Sequence, residues 1–177
     1  MSAESPPRRR ATRADLLRTL DRLGIAHRTV SHRPVHTVEE ARAHRGELPG
    51  AHTKSLFLED RKGRLFLVVA LEDRPLDVQK LARRLDAARL SFGAAALLED
   101  TLGVTPGSVT PFALLNDTGR RVGVVLDKGL LEHDPVNFHP LHNDATTAIA
   151  AADLLRFISA TGHEPTILDF EDLAPWR

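Results

Sequence analysis

The chain of 177 residues carries 24 Lys+Arg against 24 Asp+Glu, nine His and no Cys, and its length and 42% hydrophobic content fit one domain with one buried core rather than disorder. The lack of cysteine excludes a thiol nucleophile, a disulfide framework, an iron-sulfur cluster and thiolate zinc sites, leaving His and carboxylates as available metal ligands. Zero net charge argues against coating nucleic acid through bulk charge and leaves room for a local basic patch.

Residues 1–11, with Pro6, Pro7 and three consecutive arginines, read as a flexible basic tail, and residues 12–177 as the folded domain. No apolar run of leader or membrane-span length occurs, so a cytoplasmic protein without a membrane partner is expected. Thr12 and Asp15 form a capping pattern, Leu16, Leu17, Leu20 and Leu23 recur at helical spacing, and Gly24 stands where a C-terminal cap belongs, which predicts the first helix. An extended stretch follows around Ile25 to Ser31; Arg33-Pro34 then forces a turn, and Thr37 with Glu40 starts a second helix to about His44.

Thr53 to Leu58 and Leu65 to Leu71 are separated by a polar turn and predict two antiparallel strands, the second buried on both faces. Asp77 caps a helix carrying Val78, Leu81 and Leu85; a short strand near Leu90 to Phe92 and a small helix from Ala94 to Leu102 follow. GVTPGSVTP, residues 103–111, is a restricted loop, and Phe112 to Leu115 with Val122 to Asp127 read as a hairpin across Asn116 to Gly119. Asn137 to His139 and Thr146 to Ile149 are short strand candidates, Asp153 to Ala160 is a helix ending at Gly162, and Thr166 to Phe170 is a last strand. Helices and strands mix without regular alternation, which predicts a single α+β domain with a mixed, mostly antiparallel sheet flanked by helices.

Familiar catalytic motifs are absent. Five of the nine histidines fall between His27 and His52, yet no H-E-x-x-H occurs, and Pro140 breaks the spacing of His139 and His142, so no metal and no other cofactor is expected. G-x-S-x-G, G-x-G-x-x-G and the Walker loop are missing as well. Three weaker features remain. Lys54, near the start of its strand, is either an exposed edge lysine or a functional cation. The loop Gly107, Ser108, Val109, Thr110, Pro111 is either a tight connection or a presenter of backbone N–H groups to a carbonyl oxygen or anion. His139, locked between Phe138 and Pro140, is either a core-edge histidine or a site residue.

Taken in order, SHRPVHTVEEA, the lysine of HTKSLFL, RPLDVQKL, LGVTPGSVTPFALLND, VVLDKGLL and NFHPLHNDATTAI with the DLLRFI helix resemble the YbaK/prolyl-tRNA synthetase-associated family of aminoacyl-tRNA editing domains, from Leu16 to about Phe170. FHPLHNDATTAI and GHEPTILDF look most like the free-standing proteins that remove alanine from tRNA(Pro). The resemblance implies a deacylase for mischarged tRNA, with the acceptor end and its 3′ aminoacyl-adenosine as partner and prolyl-tRNA synthetase as a second candidate partner. It assigns catalytic roles to Lys54, Gly107 and His139. It assigns substrate contacts to Ser108, Val109, Thr110 and Pro111 and, more faintly, to Asn116. Ala145, Thr147 and Ile149 would wall the amino-acid pocket, and Asp144 would face either the substrate amine or solvent. Hydrolysis of another small misacylation (Cys, Ser or Thr) and a non-catalytic tRNA- or synthetase-binding module are the alternatives. An aminoacyl ester is already activated, so oriented water and a stabilised oxyanion suffice without a covalent nucleophile.

Overall fold

Helix α1 (Arg13–Arg22) begins where its residues require: the Thr12 side chain accepts from the Asp15 amide, the Asp15 carboxylate accepts from Thr12 N–H, and Leu16 and Leu20 turn into the core. The structure, a computed structural model, describes residues 9–34, 37, 39–40 and 48–175. Thr37 Oγ1 accepts from the Glu40 amide at 3.0 Å, as a helix start would require, and residues 41–44 of that expected helix lie outside the described residues.

Eight strands follow: β1 (His27–Ser31), β2 (Ala51–Asp60), β3 (Leu65–Leu71), β4 (Leu90–Phe92), β5 (Val122–Asp127), β6 (Val136–Phe138), β7 (Ala145–Ile149) and β8 (Pro165–Leu168). They form one sheet in the order β1-β7-β6-β2-β3-β5-β8, with β4 also paired to β2. The pairs β1/β7, β2/β3, β2/β4 and β6/β7 are antiparallel, whereas β2/β6, β3/β5 and β5/β8 are parallel. The sheet is therefore mixed, as expected of an α+β domain.

Because successive strand residues face opposite ways, β3 divides the interior in two. Leu65, Leu67 and Val69 join a core built with α1, α3 (Ala95–Leu102) and α4 (Ala151–Ala160). Phe66, Val68 and Ala70 join a second core under α2 (Val78–Arg84) and the turn Phe170–Leu173. The apolar run LFLVVAL thus has a partner layer on each side. Phe112 anchors the larger core, its ring 5.6 Å from that of Phe138 and 5.3 Å from that of Phe157, both edge-on.

Two expectations are corrected. Residues 112–127 do not form a hairpin: Pro111–Asn116 is a 3₁₀ helix capped by the Thr110 side chain, and β5 pairs in parallel with β3 and β8. Phe112, Ala113 and Leu114 all enter the one larger core, which alternating strand residues could not do, and the Ala113 amide donates to Thr110 O at 3.1 Å. The last strand stops at Leu168, and Phe170 opens a 3₁₀ turn capped by Asp169.

Gly50 fixes how β2 enters beside β6. Its φ is +92°, and a Cβ there would lie 2.2 Å from Pro135 O, the atom that accepts from the Ala51 amide at 2.9 Å. Asn137 ties down the same corner by donating to Pro49 O and Ala51 O.

Candidate active site

The sheet leaves an opening along one edge of β2. On that edge β6 pairs with Ala51 and His52, β4 pairs with Leu58 to Asp60 and the Gly93 amide donates to Phe57 O at 2.9 Å, so backbone pairing is interrupted over residues 53–56. Lys54 sits in this interval. Its alternation with His52, Leu56 and Leu58 puts it on the sheet face that carries the smaller core. The parallel pairing ends at His52↔Asn137, and Lys54 and His139 each follow that last pair by two residues. Thr53 Oγ1 donates to Asn137 O at 2.7 Å and holds the two strand ends together.

Lys54 is half-buried and its Nζ donates to the Arg74 carbonyl. Burial pushes the ammonium below the usual lysine range, and the nearby Asp127 and Glu72 oppose that shift. Asp127 is fully buried and organises the surroundings. Its carboxylate accepts from the amides of Leu71 and Gly129 at 3.2 and 2.9 Å and from Arg74 Nε at 3.1 Å. Asp127 thereby fixes Arg74, whose carbonyl fixes Lys54. One cation is supplied to the opening on a rigid support.

His139 stands just past the end of β6. Its Nδ1 lies 2.9 Å from Ala145 O, and a carbonyl oxygen can only accept, so Nδ1 carries the proton and Nε2 of the neutral ring is left as an acceptor. Burial, foremost, lowers the pKa of His139, and His32 adds to the effect; the Ala145 bond and Asp144 oppose it. The His32 ring stands edge-on to His139 with centroids 6.2 Å apart. His32 Nδ1 lies 2.7 Å from Arg33 O and Nε2 2.8 Å from Thr146 Oγ1. With Arg33 O on Nδ1 and Thr146 Oγ1 on Nε2, the His32 ring is held in a defined orientation beside His139.

The loop 107–111 is built as expected of a rigid connection. Gly107 has φ +88° and is exposed, Ser108 donates its amide to Thr105 O at 3.0 Å, and the Thr110 side chain caps the following turn. Ser108, Thr110 and Pro111 are buried and Val109 partly so, which leaves the backbone around Gly107 as the exposed part. The Phe112–Phe138 contact joins the end of this loop to the residue before His139. Asn116 serves a different purpose: its Oδ1 accepts from the Ala11 amide at 2.8 Å and its Nδ2 donates to Leu102 O at 2.9 Å. Both ends of that amide are engaged in fastening α1 and α3. Residues 9–11, assigned to the tail by composition, are part of this corner, with Arg9 paired to Asp15 at 3.3 Å.

The proposed pocket wall is corrected by one residue. Ile149 belongs to the larger core, and Thr147 is opposite Phe138 of that same core and bonds Thr29 Oγ1 at 2.7 Å. Ala145, Thr147 and Ile149 therefore face away from Lys54, and Thr146 and Ala148 take the site-facing positions. Asp144 pairs with Arg13 of α1 while remaining partly exposed, and that bond above all holds its carboxyl below the usual range. Its carbonyl accepts from the His32 amide at 2.9 Å, so the β6–β7 connection that carries His139 is tied both to α1 and to the end of β1. Reading the sequence did not single out His32, Thr146, Arg74 or Asp127. Asp127-Lys128-Gly129 does carry the signature of an Asp side chain capping a turn two residues on. Among the described residues no three His, Cys, Asp or Glu side chains gather to hold a metal ion, and no helix is long and apolar enough to cross a membrane.

The model of the aminoacyl-tRNA editing domain matches residues 32–157, a span holding Lys54, the Gly107 loop and His139. The chain belongs to the aminoacyl-tRNA editing domain family. Among its relatives in this family, prolyl-tRNA synthetase associated domain-containing protein 1 of Danio rerio is 45% identical over 161 residues, covering 90% of this chain and 88% of that protein. The prolyl-tRNA editing protein ProX of Acetoanaerobium sticklandii is 38% identical over 145 residues, covering 81% and 88%. The editing-domain fold is shared with a solved structure described as a candidate trans-editing enzyme for prolyl tRNA synthetase, with a TM-score of 0.65, 22% identity and coverage of 94% and 99%.

Proposed function

We propose that the protein is a trans-editing deacylase that hydrolyses the ester of mischarged alanyl-tRNA(Pro), without a metal. The reading is supported by the interrupted pairing on the β2 edge, with Lys54 two residues past its last pair to β6 and His139 just past the end of β6, each bonded to a backbone carbonyl. Lys54 binds a phosphate or hydroxyl of the terminal adenosine, and the backbone around Gly107 donates to the ester carbonyl as it becomes an oxyanion. Water adds to the carbonyl carbon. The tetrahedral intermediate then releases the ribose oxygen, which takes a proton, giving free alanine and deacylated tRNA. His139 Nε2, an acceptor, orients the water or the substrate amine. Selection rests on size, since a missing methylene is worth only about 1 to 3 kcal/mol in a pocket while exclusion of the proline ring by Thr146 and the histidine pair is steric.

A deacylation panel tests this: purified protein with Ala-, Cys-, Ser- and Pro-charged tRNA(Pro), with and without chelator. Hydrolysis of the alanyl ester unaffected by chelator is expected. No hydrolysis of any misacylated species sinks the proposal, and faster release of cysteine than of alanine moves the protein to a different substrate.

The state of His139 gives a second expectation. Its pKa is lowered, so Nε2 stays unprotonated at pH 7 and takes a proton only on acidification. The rate should be level across neutral pH and fall below roughly pH 6.5, the ordinary histidine value. His139→Gln should remove that acid limb; an acid limb persisting in His139→Gln would contradict the assignment.

A further inference from the structure

Resting on the editing reading, we infer that Arg13 and Asp144 are positioning residues for the hydrolytic centre. Through their ion pair helix α1 holds His139 and His32 in place and screens the carboxylate beside them, which keeps His139 Nε2 free to accept from water or the substrate amine.

The backbone at Asp144 serves both rings. Its own carbonyl accepts from the His32 amide at 2.9 Å, and the next carbonyl along the chain, Ala145 O, accepts from His139 Nδ1 at 2.9 Å. A tilt of residues 144–145 therefore moves both histidines together. The side chain that resists such a tilt is that of Asp144, whose Oδ1 accepts from Arg13 Nη2, reaching over from the first residue of α1. That helix is anchored by other means: Thr12 and Asp15 cap its start, the Ala11 amide donates to Asn116 Oδ1 at 2.8 Å, and Leu16 and Leu20 are fully buried. The arginine thus comes from a rigid support.

Helix α1 itself does not call for Arg13. A cation in the first turn opposes the positive end of the helix dipole, where a carboxylate is favoured. Asp144 supplies that carboxylate from the β6–β7 connection and answers the arginine at the same time. Arg13 Nε is buried without a hydrogen-bond partner, an unfavourable state that speaks against a residue kept for stability. Contact through one nitrogen, Nη2, uses the charge of arginine rather than its planar fork.

The charges around His139 make the consequence specific. Among the described residues they are His32 after β1, Asp144 and His142 in the β6–β7 connection, Arg13 on Asp144, and Lys54 on β2. Asp144 is the one anion of this set, and its charge favours a proton on His139. Arg13 offsets that charge. Without it the bare carboxylate draws a proton onto Nε2 at higher pH, and the acceptor is lost.

The test follows the His139 ring by NMR through a pH titration of the full chain, its signal assigned by its loss in His139→Gln, alongside kcat/KM for alanyl-tRNA(Pro) against pH. In Arg13→Gln the ring should titrate at higher pH than in wild type, and the acid limb of the rate should move with it. At pH 7 kcat/KM should fall about two- to fivefold, the range that a half-exposed pair supplies. Asp144→Asn should move the ring titration and the acid limb to lower pH, and Arg13→Lys should restore the wild-type titration. Opposite shifts in the two variants are a result that a merely structural brace does not give. A ring titration unmoved in Arg13→Gln and Asp144→Asn would overturn the inference, as would shifts in one direction for both, or a drop in rate and urea midpoint with the titration unchanged. The titration needs no substrate, so wild-type protein inactive on every ester would refute the editing reading, while the predicted shifts would still establish the action of the pair on His139.

Discussion

Replacing Lys54 by alanine is expected to lower kcat/KM for alanyl-tRNA(Pro) by at least about tenfold while leaving the fold almost as stable as before. A hydrogen bond from a charged donor contributes about 1.5 to 3 kcal/mol, and each 1.4 kcal/mol is about tenfold in rate or affinity, so the loss of one substrate contact falls between roughly tenfold and a hundredfold. Stability is spared because the ammonium gains little from its position. Burial is what lowers its pKa, so the charged form is held there at a cost, and its bond in the fold is to the Arg74 carbonyl. Arg74 remains fixed by Asp127 when the lysine is removed. Urea denaturation separates the two effects: the transition midpoint should move little while single-turnover deacylation drops. A large shift in the midpoint would make Lys54 a structural residue, and unchanged turnover would remove it from the site.

The opposite combination is expected at Asp117. This side chain is 2% exposed and accepts three bonds, from the Arg121 and Val122 amides at 3.0 Å each and from His163 Nε2 at 2.8 Å. It fastens the turn before β5 to the segment between α4 and β8, and His163 is completed by Thr161 Oγ1 at 2.9 Å from Nδ1. Asp117→Ala removes the acceptor of two amides and an imidazole, and each buried donor left unsatisfied costs about 1 to 3 kcal/mol. That is a large share of the roughly 5 to 15 kcal/mol that holds a domain together. Asp117→Asn keeps one acceptor and should cost less. The site should survive in the fraction that stays folded, because Val122 pairs with Leu65 at the end of β3 remote from Ala70, the partner of Lys54. Thermal or urea unfolding measures the first effect and activity at low temperature the second; a midpoint unchanged in Asp117→Ala would contradict the account.

Much of this architecture could be read from residue patterns, and the places where reading failed share a cause. Helix α1 was legible because Thr12, Asp15 and the leucine spacing all act within one or two turns of chain. The two-faced burial of Leu65 to Leu71 was legible because seven apolar residues leave no polar face to expose. The turn Pro111–Asn116 was mistaken for a strand because FALLN is short and apolar, and its helical state is decided by Thr110 capping and by packing on Phe138 and Phe157. The site shows the same division. Lys54, the Gly107 loop and His139 could be singled out by local constraint and by resemblance. Asp127, Arg74 and His32 work through partners 53 to 114 residues away in the chain, a relation that no local pattern encodes. The wall shifted from Ala145, Thr147 and Ile149 to Thr146 and Ala148 because strand parity is set by pairing with β1 and β6, and a one-residue error turns every side chain to the other face.

The central claim is that the opening beside Lys54 and His139 hydrolyses an ester carrying a small amino acid and refuses a larger ring. Its most direct test is single-turnover hydrolysis of alanyl-tRNA(Pro) and prolyl-tRNA(Pro) by the full chain under identical conditions. Rapid loss of alanine with prolyl-tRNA(Pro) left intact is the predicted result. Equal rates for the two esters, or no reaction with either, would contradict it.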